Sequence, residues 1–204
     1  MSDKLIVLLF FAMNEIFNSY IEAFDELNVL TTASYYSADN EEQIADDVLS
    51  FLIQAYRLGI AAAGEMLTAD LSVDVDSMRD VIYFLIDGKT FEDRVATHVA
   101  SDNLTGLKLL VESEYQRVFN AAIYDGGEQY QRNTGIRVSK VWRTMLDEDV
   151  RDTHRYLEGM TVPLDDYFYT WDGDYALAPH GFTQVWNNAN CRCVLVLKMD
   201  GLQN

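Results

Sequence analysis

Apolar residues recur every third or fourth position through most of the first 130 residues, then alternate with polar ones after Ile136. A period near 3.6 predicts helices with one buried face, and a period of two predicts strands. Residues 5–13 are an unbroken apolar run that Ile16, Tyr20, Ala23, Phe24 and Leu27 extend at helical spacing, predicting a helix over 4–29. A polar loop over 31–40 follows. Asn40-Glu41-Glu42 puts acids where a helix dipole favours them, so a second helix is expected from there toward Leu67, through Leu52, Tyr56, Ile60 and Ala61-Ala62-Ala63. A third is expected with Asp76 as its cap, Met78, Val81, Ile82, Phe84 and Leu85 as its apolar side, and Asp87-Gly88 as its stop. A fourth spans 90–100. A fifth opens at Asn103 or Thr105 and is expected to break or bend at Asp125-Gly126-Gly127.

Beyond Ile136 the alternation of Val138, Lys140, Trp142 and Thr144 predicts a strand. A short helix over 147–157, a turn over 159–162 and a strand over 194–197 complete the tail. The intervening residues 165–190, rich in Tyr, Trp, Asp, Gly and Asn, read as a long aromatic-pinned loop or a β-excursion. The fold class is therefore α+β: a mostly helical N-terminal region, 1–104, followed by a small α+β C-terminal domain, 105–204.

Charge narrows the choice of partners. The net charge is −18, and residues 1–100 hold 18 acids against 5 bases. Such a surface repels phosphates, so sequence-independent DNA binding by the whole chain is disfavoured. The six bases Arg132, Arg137, Lys140, Arg143, Arg151 and Arg155 form a stripe that either touches DNA or an acidic partner, or balances the nearby Asp147, Glu148, Asp149 and Asp152. The balancing reading is the plainer one. The run over 5–13 lacks the flanks and cleavage site of a signal peptide and is too short to span a bilayer. It reads as a helix buried on most sides or docked on a partner, and no membrane association is expected.

Three constellations carry candidate chemistry. Arg151 and His154 lie three apart on a predicted helix and share a face. His154 can serve as a base, a metal ligand or an orienting partner, or the two can form a buried polar network that seats the helix on the sheet. Cys191 and Cys193, the only cysteines, are poorly spaced for a mutual disulfide, which fits a reducing, cytosolic origin. On a strand they would point to one side, and with His154 and His180 they could take zinc; two small buried thiols are the plainer alternative. Glu114, Arg117 and Asn120 share one side of the fifth helix, and their plain reading is a surface ion pair.

Taken in order, the Glu114-x-x-Arg117-x-x-Asn120 helix, Trp142, Arg151-x-x-His154, Gly159, Val162, Pro179 and Asn190-Cys191-Arg192-Cys193 resemble the C-terminal domain of the phage Mu F-like head morphogenesis proteins, over about residues 105–197. In that family an Arg-Thr-Glu triplet precedes the Arg and Asn; Glu112 and Ser113 stand here at its first two positions. The resemblance implies a minor capsid protein made in the host cytoplasm and carried in the virion. It would sit inside the capsid at the portal vertex, with the portal and other head proteins as partners and a role in DNA packaging or ejection. It implies a structural part for the motif residues, no catalytic residue and no cofactor beyond the zinc alternative. Two other readings stand beside it. One is a scaffold-like factor that leaves before maturation. The other is an enzyme using Arg151, His154, Glu114 and the cysteines, since similar domains occur in chains with toxin or ADP-ribosyltransferase modules.

Overall fold

The computed structural model describes residues 41–200. The helix expected over 4–29 and the loop over 31–40 lie outside the described residues. Helix α1, Glu41–Leu67, follows the expected bounds and buries Ile44, Val48, Phe51, Leu52, Ala55, Tyr56, Ile60, Ala63, Met66 and Leu67. Those positions fall three or four apart, so they make one stripe. Helix α2, Val75–Ile82, is capped by Asp74, whose carboxylate accepts from the Ser77 amide. Asp76, the expected cap, lies in the first turn. The helix also stops sooner than expected. Tyr83 closes it, Phe84 and Leu85 are exposed, and Asp87-Gly88 instead turns the chain between Ile86 and Lys89. Helix α3, Phe91–Ala100, begins with a reciprocal capping box between Thr90 and Asp93.

Helix α4, Leu104–Thr134, is capped by Asn103 and runs through Asp125-Gly126-Gly127 without a break. The expected bend is absent because both glycines serve packing. A Cβ on Gly126 would lie 2.5 Å from Ala63 Cβ, and one on Gly127 would lie 3.1 Å from a Leu164 methyl. Further along the same seam, a Cβ on Gly59 of α1 would lie 2.5 Å from the Phe119 carbonyl oxygen and 2.6 Å from Ala122 Cβ. Gly59, Ala63, Ala122 and Gly126 therefore let the α1 and α4 backbones approach more closely than side chains would allow. The helix ends at Gly135, whose φ of +71° suits a left-handed cap.

The tail adds a three-stranded antiparallel sheet in the order β2–β1–β5. Strand β1, Val138–Arg143, is central; β2 is Thr161–Pro163 and β5 is Val194–Met199. Trp142 pairs with Leu195, and Val141 pairs with both Val196 and Thr161. The expected turn over 159–162 is shorter: Gly159, at φ +72°, reverses the chain, and Val162 already belongs to β2. The expected helix over 147–157 contracts to α5, Asp152–Arg155, with Arg151 as its extended N-cap. The aromatic segment forms a hairpin of β3, Phe168–Tyr169, and β4, Tyr175–Ala176, followed by the single turn α6, Val185–Asn188. One continuous core runs from Ile44 on α1 to Leu197 on β5.

Polar groups are also drawn into this core. The Tyr56 hydroxyl donates to Asp125 at 2.7 Å across the α1–α4 seam. Burial pushes the Asp125 carboxyl up to about 6, against the opposing hydrogen bond from Tyr56. Lys140 is fully buried on β1, with its ammonium 4.9 Å from the Tyr124 ring centre and 5.4 Å from that of Phe168. Burial brings its pKa down to about 8, against the attraction of Asp165, Asp166 and Glu128.

The seam should respond to a single methyl. Although alanine favours helix over glycine by about 1 kcal/mol, Gly126→Ala should lower stability by about 1–3 kcal/mol through overpacking against Ala63, read as a lower urea midpoint. Because the folded state holds the Asp125 proton more tightly than the unfolded chain does, its stabilisation is complete below the ordinary carboxylate range and lost as pH rises through about 6. Asp125→Asn keeps an acceptor for Tyr56 and never ionises. It should leave stability near pH 4 little changed and raise it by about 1–2 kcal/mol at pH 7.5, as measured by urea unfolding at both pH values.

Candidate functional site

The polar motif on α4 is buried, not the surface ion pair its sequence suggests: Glu114 is 2% exposed, Arg117 9% and Asn120 fully enclosed. Glu114 accepts from Arg117 at 2.8 and 3.1 Å and from Arg94 on α3 at 2.9 Å. Arg117 also donates to the Val81 carbonyl at the end of α2, at 2.8 Å. One carboxylate and two guanidiniums thus pin α2, α3 and α4 together. Burial works to raise the Glu114 carboxyl, but Arg117 and Arg94 outweigh it and hold the carboxyl below its usual range. Arg94 escapes sequence reasoning because it lies 20 positions from Glu114, on a different helix.

Asn120, one turn further along α4, reaches the opposite structure. Its amide nitrogen donates to the Cys193 carbonyl at 3.2 Å, and its oxygen accepts from the Leu195 amide at 2.8 Å. These are backbone groups on the edge of β5 that faces away from β1. The side chain acts as a short piece of strand and satisfies what would otherwise be unpaired, buried edge groups.

Trp142 on β1 is fully buried within an aromatic cluster. His154 and Phe168 meet it edge-on, with ring centres 5.5 and 5.3 Å away, and Phe182 packs at 5.3 Å. The Trp142 amide and carbonyl bond to Met160 and Gly159, so the Gly159 turn is tied to the strand beside it. His154, on α5, is also buried, and stacks on Phe182. Its Nδ1 lies 3.6 Å from Cys191 Sγ and 3.4 Å from Cys193 Sγ. Although β5 begins only at Val194, the loop before it turns both thiols to the same side, as the sequence led us to expect of a strand.

Arg151 and His154, expected to share a helical face, part company. His154 turns inward, while Arg151 donates from the surface to the Ala189 carbonyl. Arg192 points outward between the cysteines and pairs with Asp147 at 2.8 Å and Asp149 at 3.6 Å. Asn190 supplies the left-handed turn at φ +53° that aims the two thiols, a conformation asparagine tolerates better than most residues. His180, considered with the thiols from sequence, instead bonds through Nε2 to the Cys191 carbonyl oxygen at 2.7 Å and faces Ser113 at 3.4 Å. Folding breaks up the basic stripe: Lys140 is enclosed, Arg132, Arg143 and Arg155 pair with Glu128, Glu158 and Asp152, and Arg137 stays exposed.

The two thiols form one tightly coupled group. Burial pushes Cys191 up, but hydrogen bonding with Cys193, the positive charge available on His180 and the bond to His154 together bring it well below its ordinary value. Cys193 moves the opposite way, raised by its bond to Cys191 and by burial. Two coupled thiols beside an imidazole can bind a soft metal or share a proton.

Asp174 is a structural residue that sequence reasoning missed. Buried on the β3–β4 turn, it accepts from Thr183, Gln184, Tyr175 and Asn187 and ties the hairpin to α6. Burial raises its carboxyl, and the bonds from Asn187, Thr183 and their neighbours more than offset this, so it stays below the usual range. In so acidic a chain, one aspartate among many carries no signal.

A family model described as "Phage Mu protein F like protein" matches residues 83–196, from the end of α2 into β5. The chain is 29% identical over 99 residues to the minor head protein GP7 of Bacillus phage SPP1, covering 48% of this chain and 32% of that protein. It is 27% identical over 126 residues to the NAD(+)--arginine ADP-ribosyltransferase EFV of Enterococcus faecalis, covering 60% of this chain and 25% of that one. The chain therefore spans about a quarter to a third of the length of these curated relatives. No solved structure matches it.

Replacing Glu114 with alanine would leave Arg94 and Arg117 buried without their shared anion. We expect a loss of about 3–5 kcal/mol, measured by chemical unfolding. A loss below about 1 kcal/mol, the range of exposed pairs, would mean that the guanidiniums are hydrated after all.

Proposed function

The chain belongs to the phage Mu protein F like family, and from that premise we propose that it is a minor phage head protein held at the portal vertex. The observation that carries this reading is the extent of the family match. It takes in the ion cluster of α3 and α4, the Asn120 clamp, the Trp142 cluster and the His154–cysteine group, which together make one continuous structural unit. The SPP1 minor head protein among its relatives supports placement in a phage head.

The chemistry of the surface supports protein partners. A net charge of −18, with Arg132, Arg143 and Arg155 each paired to a carboxylate, disfavours a hold on packed DNA. Aromatic side chains are nevertheless presented to solvent. Tyr167, Tyr169 and Tyr175 cluster around the β3–β4 hairpin, and Trp171 at its tip and Trp186 on α6 are 64% and 63% exposed. Exposed rings of this kind fill pockets on protein partners at low entropic penalty. We assign them to contacts with the portal and neighbouring head proteins, so any influence on DNA packaging or ejection is indirect. Among the described residues no helix is long and apolar enough to cross a membrane.

The ADP-ribosyltransferase relative is matched over only a quarter of its length, which gives no support for assigning its activity to this chain. The motif residues are engaged in packing: Glu114 with two arginines, Asn120 with β5, and Arg151 with a carbonyl.

Quantitative mass spectrometry of purified mature particles, scaled to the portal subunit, tests the proposal. A few copies per portal ring are expected. Complete absence from finished particles, with presence in assembly intermediates, would replace the reading with that of a transient assembly factor.

A further inference from the structure

The group formed by His154, Cys191 and Cys193 has the dimensions of a metal site. Its three donor atoms are buried and lie within 4.8 Å of one another. With zinc–sulfur bonds near 2.3 Å and a zinc–nitrogen bond near 2.0–2.1 Å, the nitrogen–sulfur edge of a tetrahedral centre is about 3.6 Å. The two observed edges are 3.6 and 3.4 Å. We propose that His154 Nδ1, Cys191 Sγ and Cys193 Sγ bind one zinc ion, with water as the fourth ligand.

Three further observations support the assignment. The Cys193 amide lies 3.5 Å from Cys191 Sγ and donates to it, a bond that favours the thiolate a metal needs. The imidazole is held in place by Trp142 and Phe182, so it meets the thiols through Nδ1 without needing to reorient. A water-sized space of about 10 Å³ is lined by His154, Cys191 and Cys193 together with Asp149, Arg151 and Asn190. It suits a single solvent ligand. Charge also balances: two thiolates neutralise one divalent cation, so the buried site carries no net charge. Binding displaces the thiol protons to solvent.

Such a centre would join α5 to the approach of β5, two segments 37 residues apart, from the inside, where the Arg151 bond to the Ala189 carbonyl ties them only at the surface. This reading is independent of the portal assignment, since it concerns only donors within the chain.

The test uses the full chain, stripped with a chelator, desalted, and titrated separately with zinc and cobalt(II). Retention of one equivalent of zinc through gel filtration is expected, together with a melting temperature several degrees above that of the stripped protein. Cobalt should give the intense visible bands of a tetrahedral centre and thiolate-to-metal charge transfer in the near ultraviolet. Cys191→Ser and His154→Asn should abolish both signals. Should either variant fail to fold, the wild type still decides: zinc should slow reaction of the native thiols with a disulfide reagent by about tenfold or more. Retention of less than about a tenth of an equivalent, unchanged thiol reactivity or a six-coordinate cobalt spectrum would overturn the proposal. The group would then be a hydrogen-bonded pair of thiols around an imidazole.

Discussion

The close approach of α1 and α4 is the constraint on which the remaining structure depends. Gly59, Ala63, Ala122 and Gly126 leave no room for larger side chains between the two backbones. Helices packed this closely gain dispersion contacts along the seam, and their relative position cannot drift without opening voids. The seam also sets which face of α4 remains for other work. That face carries Glu114, Arg117 and Asn120.

Once α4 is fixed, its polar face organises both halves of the molecule. Toward α2 and α3 it presents a carboxylate that holds two guanidiniums, and toward the sheet an amide that completes the edge of β5. Neither arrangement is a cheap surface contact. A buried ion cluster contributes little net stability over an apolar one, but breaking it is costly, so it penalises alternative helix packings. The Asn120 clamp likewise rewards one register of β5 against α4. That register sets where Cys191 and Cys193 fall relative to His154.

The tail is built on the same logic of buried polar groups with assigned partners. Asp174 gathers the hairpin and α6, and Glu158 accepts from Arg143 and Thr144 at the end of β1. Lys140 departs from this logic, a buried ammonium facing aromatic rings with no hydrogen-bond acceptor, and Trp142 Nε1 and His154 Nε2 are likewise buried without a partner. The inward-facing groups are thus committed to structure, and the tyrosines and tryptophans around β3, β4 and α6 remain available on the outside. The proposed role, being held within an assembly, calls for that combination of a rigid interior and a ring-rich exterior.

The sequence alone determined the class and order of the elements. The spacing of apolar residues located α1, α3, α4, β1 and β5, because amphipathic periodicity is a local property of the chain. The motif order from Glu114 to Cys193 was enough to suggest the family, since it depends on residue identity and spacing rather than on contacts. What the chain could not disclose is what each group faces. Gly126-Gly127 looked like a break because a glycine's local preference is for turns; its use as a packing seam depends on Ala63, 63 positions earlier. Glu114 and Arg117 looked like a surface pair because Arg94 and the Val81 carbonyl come from other helices. Lys140 looked like part of a basic stripe because its charge is visible in the sequence and its enclosure is not. In each case a residue's local chemistry was legible, while its partner, supplied by a distant segment, was decided only by tertiary packing.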